Sequence, residues 1–145
     1  TTTRSKDLTV VVVNSIALSV NLVDKMGTPV PCDYAHRPAD PFGQLAWLSG
    51  ALHAAKSSGR KVIVTGHIAP GGKDGVANWC DDYAEAFGKL LSPYVLSGDV
   101  VASLFGDHTR DEARVWGVRE GGADGFGLVN PGMTLRRGGA QGAMP

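Results

Sequence analysis

The sequence predicts an α/β fold, of the mixed α+β kind, with antiparallel strands added towards its end. Three observations carry that prediction. Two short β-branched runs, LTVVVVN at 8–14 and KVIVTG at 61–66, flank an apolar segment of helical period. A third run, DVVASLF at 99–105, follows a second helical segment. Alternation of strand, helix and strand builds a sheet flanked by helices.

Taken in order, residues 8–14 form a continuous apolar run ending in Asn14, the pattern of a strand buried on both faces. Residues 15–39 have no period and carry Gly27, Pro29, Pro31 and Pro38, so they read as a long loop, a kind of segment that is often functional. In DPFGQLAWLSGALHAAKSSG, Asp40 suits the helix cap, Pro41 the first helical position and Gly59 the stop. Leu45, Leu48, Leu52 and Ala55 recur at helical spacing. Gly43 and Gly50 weaken this helix by roughly 1 kcal/mol each relative to Ala, so packing must hold it. The second helix is expected over 79–91, with Trp79, Tyr83, Phe87 and Leu90 on one side and Pro93 opposing continuation. ARVWGVR at 113–119 and FGLVN at 126–130 read as the added strands.

The 145 residues suit one domain, or a large piece of one. Fourteen Lys and Arg balance fourteen Asp and Glu, so no net field draws nucleic acid or an anionic membrane. The longest apolar runs fall far short of the ~20 residues that span a bilayer. No signal peptide is visible, and the start without Met reads as a processing site or a break in a longer protein. Cys32 and Cys80 are too few for a disulfide-dense scaffold and form no CxxC pair.

Two segments are able to carry chemistry. In Thr65-Gly66-His67-Ile68-Ala69-Pro70-Gly71, a His at the carboxyl end of a strand can project into a cleft. Neutral imidazole suits Zn, Mn or Fe, and Gly66 and Gly71 let the backbone approach a phosphate. The alternative is that His67 only hydrogen-bonds within a turn. A nucleotide phosphate loop is a poor match, because an extra residue precedes Lys73 and Asp74 stands where the metal-binding hydroxyl belongs. In Gly106-Asp107-His108-Thr109-Arg110-Asp111-Glu112, Asp107 and His108 are acceptable metal ligands and Arg110 is able to hold a phosphate bidentately. The alternative there is a polar surface turn. His53 reads as structural, and His36 lies in the long loop with nothing beside it to assign a role.

Together the segments resemble the calcineurin-like metallophosphoesterases, in their acid sphingomyelinase-like phosphodiesterase branch. DPFGQLAWLSGALHAAKSSGRKVIVTGHIAPG looks like the helix Asp-Pro-x-Gly-Gln-Leu-x-Trp-Leu followed by the loop Gly-His-Ile-Pro-Pro-Gly. VVVVNSIALSVN resembles a strand ending in Leu-Asn-Thr, and SLFGDHTRDEARV resembles Phe-Phe-Gly-His-Thr-His-x-Asp-Glu-Phe. The tail LVNPGMTLRRGGAQGAMP is similar to a stretch that closes the active-site rim. The resemblance runs from about residue 8 to the end and is most specific over 40–71.

It implies a four-layer αββα sandwich, of which residues 1–145 supply the C-terminal portion and the N-terminal half is absent. It implies two divalent metal ions in the intact parent, zinc foremost with Mn or Fe as alternatives, and a metal-activated water attacking phosphorus. His67 matches the metal-binding His of the loop. The chain departs where the family reads Gly-His-Thr-His: aligned without a gap, Asp107 and Thr109 replace both histidines, and a shift by one restores His108 but brings in Arg110. Thr is a poor zinc ligand and Arg is none. The family's N-terminal motifs, Asp-x-His, Gly-Asp with a following Asp, and Gly-Asn-His, are absent, so the chain alone is expected to be inactive.

Cys32 and Cys80 fall in regions that the family's secreted or lysosomal members join by a disulfide, which would imply an oxidising compartment. The expected substrate is a small phosphate ester or a lipid headgroup, in a secretory, lysosomal or acidic vesicular setting. Half of such a sandwich would expose apolar surface and favour self-association. The competing reading is a degenerate, non-catalytic relative kept for binding or structural work, and the altered GDHTRDE segment favours it.

Overall fold

The computed structural model describes residues 2–4, 7–73, 76–107, 112–114 and 128–130. Its centre is a four-stranded sheet of β1 (Thr2–Arg4), β2 (Leu8–Val12), β3 (Lys61–Gly66) and β6 (Val100–Phe105), in that spatial order. β2, β3 and β6 run parallel, and β1 adds antiparallel at the edge. Helices α1 (Gln44–Ser57) and α2 (Asp81–Leu96) make the two crossovers that parallel neighbours require. Two short antiparallel pairs complete the described fold: β4 (Gly72–Lys73) with β5 (Val76–Ala77), and β7 (Glu112–Arg114) with β8 (Leu128–Asn130). The α/β class expected from the alternation is the observed one, and of the expected strand 113–119 residues 115–119 lie outside the described residues.

Register decides which face is buried. Thr9 pairs with Val62, and Val11 with Val64 and through it with Ser103, and all of these are buried. Leu45, Leu48, Leu52 and Ala55 of α1, with Tyr83, Phe87 and Leu91 of α2, join this face in one core. On the opposite face Val10, Ile63, Thr65 and Leu104 are only half-buried and Val12 is 41 % exposed. The expected burial of 8–14 on both faces is therefore corrected: α1 and α2 cover the same side of the sheet.

Both helix starts differ from expectation in an informative way. Residues 41–43 make a 3-10 turn in which Phe42 (φ 61) and Gly43 (φ 64) are left-handed, and α1 begins only at Gln44. Asp40 still caps the helix, because its carboxylate accepts from the Leu45 N–H (2.8 Å) and the Ala46 N–H (2.9 Å). Trp79 stands before α2, which begins after Cys80. Pro93 does not end α2, which continues to Leu96. So near the C-terminus, proline removes one hydrogen bond, while the buried Leu91 and the packed Tyr94 and Val95 hold the last turn on the core.

The long segment 15–39 is ordered by specific bonds. A 3-10 turn spans Ser15–Leu18, and Cys32 forms a disulfide with Cys80, their Cα atoms 5.5 Å apart. Beside it the guanidinium of Arg37, 3 % exposed, donates to the Ser19 carbonyl (2.7 Å), the Val30 carbonyl and Cys80 Sγ (3.2 Å). Tyr83 donates to the Pro38 carbonyl (2.7 Å), and burial raises its phenol above the ordinary range.

Candidate functional site

The carboxyl ends of β2, β3 and β6 meet at one edge of the sheet, where open α/β sheets place ligands. β3 delivers His67 there and β6 delivers Asp107. His67 Nε2 lies 3.5 Å from Asp107 Oδ1, with the imidazole 74 % exposed and the carboxylate 34 %. That separation exceeds an ordinary N–H···O hydrogen bond. Asp107 holds a left-handed backbone (φ 74), a conformation that Asp tolerates better than most residues.

Beneath the exposed ring the backbone is tightly tied. The His67 N–H (3.0 Å) and the Ile68 N–H (2.8 Å) both donate to Ser15 Oγ. The His67 carbonyl accepts from the Gly106 N–H (2.7 Å), and the Ile68 carbonyl from Trp79 Nε1–H (3.0 Å). Trp79, Phe87 and Phe105 form a floor of edge-to-face rings with centroids 5.1, 6.1 and 6.3 Å apart.

Gly66 answers to this floor. A Cβ on it would meet Phe105 Cε1 at 2.8 Å and Val13 Cγ2 at 3.0 Å. Gly71 holds φ 85 and leads into the β4–β5 hairpin, its carbonyl accepting from the Asn78 N–H (2.7 Å). A hairpin, not a helix, therefore follows the Gly-rich loop, which leaves no phosphate-loop architecture there.

At the end of β2 the Gln44 side chain clasps Asn14: its Oε1 accepts from the Asn14 N–H, and its Nε2–H donates to the Asn14 carbonyl (3.1 Å). A cleft of about 340 Å³ opens beside this clasp, lined by Val12, Val13, Asn14, Phe42, Gln44 and Trp47. The structure thus brings His67 and Asp107 together, while His108 and Arg110 lie outside the described residues. Among the described residues no group of three or more His, Cys, Asp and Glu side chains is placed to hold a metal ion. His53 faces solvent on α1 and not the core, and His36 bonds Asp33 (2.6 Å) on the surface. Ser15, Gln44 and Arg37 are not among the residues that the sequence marks as site candidates. For Ser15 a signal existed: a hydroxyl placed just past an apolar strand meets the orphan N–H groups of the next strand's end.

No protein-family model matches the chain. The chain is 36 % identical over 109 residues to "Sphingomyelinase phosphodiesterase D" of Dictyostelium discoideum, covering 74 % of this chain and 22 % of that protein. It is 36 % identical over 77 residues to human "Sphingomyelin phosphodiesterase", covering 53 % of this chain and 11 % of that one. A match of 38 % over 82 residues to "Probable glucan 1,3-beta-glucosidase A" of Aspergillus terreus covers 46 % of this chain and 20 % of that protein. The chain thus spans less than a quarter of the length of each relative. The likeness that covers most of this chain is to relatives named as sphingomyelinase or sphingomyelin phosphodiesterases, and with the motif order at 40–71 it supports placing the chain in the acid sphingomyelinase-like branch.

Proposed function

We propose that the chain is part of a metal-dependent phosphodiesterase, contributing His67 and Asp107 to its metal centre. The observation that carries this reading is the convergence of the two side chains, 3.5 Å apart, at the carboxyl ends of adjacent parallel strands. Zinc bonds of about 2.1 Å to N and O donors give a tetrahedral edge of about 3.4 Å, so two ligands of one ion stand at this spacing. His67 Nε2 and Asp107 Oδ1 fit one such edge. Two donors do not complete even one ion's shell, and a dinuclear centre needs further ligands from the parent protein. Bound there, divalent ions would supply a water of lowered pKa and positive charge against the developing oxyanion.

What this chain's own groups do follows from their setting. The exposed imidazole presents Nε2 towards Asp107 Oδ1, while the bonded backbone of His67 and Ile68 fixes its origin. Asp107 brings negative charge to the same point. The names of the relatives favour a phosphodiester lipid, with a small phosphate ester as the alternative substrate. The Cys32–Cys80 disulfide supports an oxidising compartment, secretory, lysosomal or acidic vesicular. With two such donors among the described residues, this chain is not expected to hydrolyse a phosphodiester on its own.

The reading is tested with the full-length parent on sphingomyelin vesicles and a chromogenic phosphodiester. Hydrolysis that a chelator abolishes and zinc restores is the expected result. Hydrolysis indifferent to chelation contradicts the metal centre. No hydrolysis of either substrate favours the degenerate, non-catalytic reading, for which the altered GDHTRDE segment at 106–112 speaks.

A further inference from the structure

We infer that Ser15 is a positioning residue for His67, acting through the backbone of the loop that follows β3; the inference rests on reading His67 as a metal ligand. All four backbone polar groups of His67 and Ile68 are bonded, and they are bonded by groups from three elements of the fold. Ser15, just past β2, accepts both N–H groups, at 3.0 and 2.8 Å. Gly106, at the end of β6, donates to the His67 carbonyl, and Trp79, before α2, donates to that of Ile68. The imidazole meanwhile is 74 % exposed. Buried backbone groups need partners in any fold, and here those partners also fix the direction in which an exposed imidazole leaves the chain, as a metal ligand requires.

Ser15 is the member of the frame that accepts, whereas Gly106 and Trp79 donate. The β2–β3 ladder ends where the Val13 N–H meets the Thr65 carbonyl at 2.8 Å. Beyond that point the N–H groups of His67 and Ile68 have no strand to bond. The Ser15 hydroxyl, 2 % exposed, replaces the missing strand with one oxygen. Two consecutive N–H groups on a single acceptor fix both peptide planes that flank the His67 Cα, and so the direction in which its side chain leaves the chain. Ser15 is itself seated: Gln44 clasps both backbone groups of the adjacent Asn14.

The test compares the full-length parent with its Ser15→Ala, Ser15→Thr and Gln44→Ala variants. Amide hydrogen exchange reads the frame and zinc titration reads the site. Ser15→Ala is expected to raise exchange at His67 and Ile68 while Val62 and Val64 keep their protection. Its zinc affinity is expected to fall about 10–100-fold, the range for lost supporting partners of a ligand. Ser15→Thr, which keeps the hydroxyl, is expected to restore both. Gln44→Ala, which frees Asn14 but leaves the hydroxyl, should loosen the same two amides less, and it decides the matter if Ser15→Ala does not fold. Unchanged exchange at His67 and Ile68 in Ser15→Ala and Gln44→Ala overturns the inference, as does equal loss of zinc in Ser15→Ala and Ser15→Thr. A parent that binds no zinc removes the metal reading instead, and the exchange data then decide on Ser15 alone.

Discussion

His67 and Asp107 occupy the ends of paired parallel strands, with Nε2 and Oδ1 3.5 Å apart. Neither neighbour supplies the other with a good hydrogen bond at that distance. The pair is joined from below, where the Gly106 N–H donates to the His67 carbonyl. Strand pairing, rather than attraction between the two side chains, therefore sets their spacing. A change that disturbs the junction of β3 and β6 should disturb the pair.

Gly66→Ala is such a change. The new methyl would stand 2.8 Å from the Phe105 ring and 3.0 Å from Val13, inside a floor whose rings are already in contact. Overpacking of this kind costs about 1–3 kcal/mol. Chemical denaturation should show that loss, whereas Gly50→Ala, with nothing within 4 Å of the added carbon on α1, should be neutral or mildly stabilising.

The Cys32–Cys80 disulfide closes a loop with a sequence separation of 48, and it holds the segment carrying Arg37 and Tyr34 to the start of α2. Replacing both cysteines by alanine should destabilise the protein by about 2–4 kcal/mol, since the unfolded chain regains the closed loop's freedom. Part of the loss comes from Arg37, whose buried guanidinium gives up a bond to Cys80 Sγ. Thermal unfolding of the double variant measures the loss, and alkylation with and without reductant should differ in intact mass for the native chain.

Thr9 offers the opposite case. Its hydroxyl is buried under the helices, and Oγ1 has no hydrogen-bond partner. Valine has nearly the same shape without the unsatisfied oxygen, so Thr9→Val should raise stability by about 1 kcal/mol. A loss of stability in denaturant titration would show that the hydroxyl has a role that this structure does not record.

Asp99 ties the turn before β6 to the end of α1. Lys56 Nζ lies 2.7 Å from its Oδ2, and Ser97 Oγ–H donates to the same carboxylate. These bonds, that of Lys56 first, hold the Asp99 carboxyl below the usual carboxylate range. A lowered folded value means that the contribution is complete above the unfolded carboxylate pKa, about 3.9. It is lost as pH falls through the lower folded value. Lys56→Met should therefore flatten the fall in stability below about pH 4 and leave its shape near neutrality unchanged, as acid titration of the unfolding midpoint would show.

How much of this was legible in the sequence depends on which residues were paired with what. The strand cores at 8–12, 61–66 and 100–105 and the two helices follow from β-branched runs and helical spacing, and His67 and Asp107 stand out as polar residues just past strands. One-sided burial was not legible, because Val10 and Ile63 are as apolar as Val11 and Val64, and only the placement of both helices on one face separates them. Pro93 misled because local chemistry opposes a helix that tertiary packing continues. Arg37 reads as a surface cation until the loop folds over it. The pairing of Cys32 with Cys80 followed from the family likeness, since spacing alone does not join them.

The central claim, that His67 and Asp107 share one metal ion, is tested most directly by zinc content and phosphodiester turnover in the full-length parent and three variants: His67→Ala, Asp107→Ala and the double substitution. Ligands of one ion act as a unit, so each single change should lower turnover by at least about 10–100-fold and the double should cost little more. Bound zinc should fall in all three variants alike. Full zinc content and turnover in both single variants would contradict the claim, and so would losses that simply multiply in the double variant.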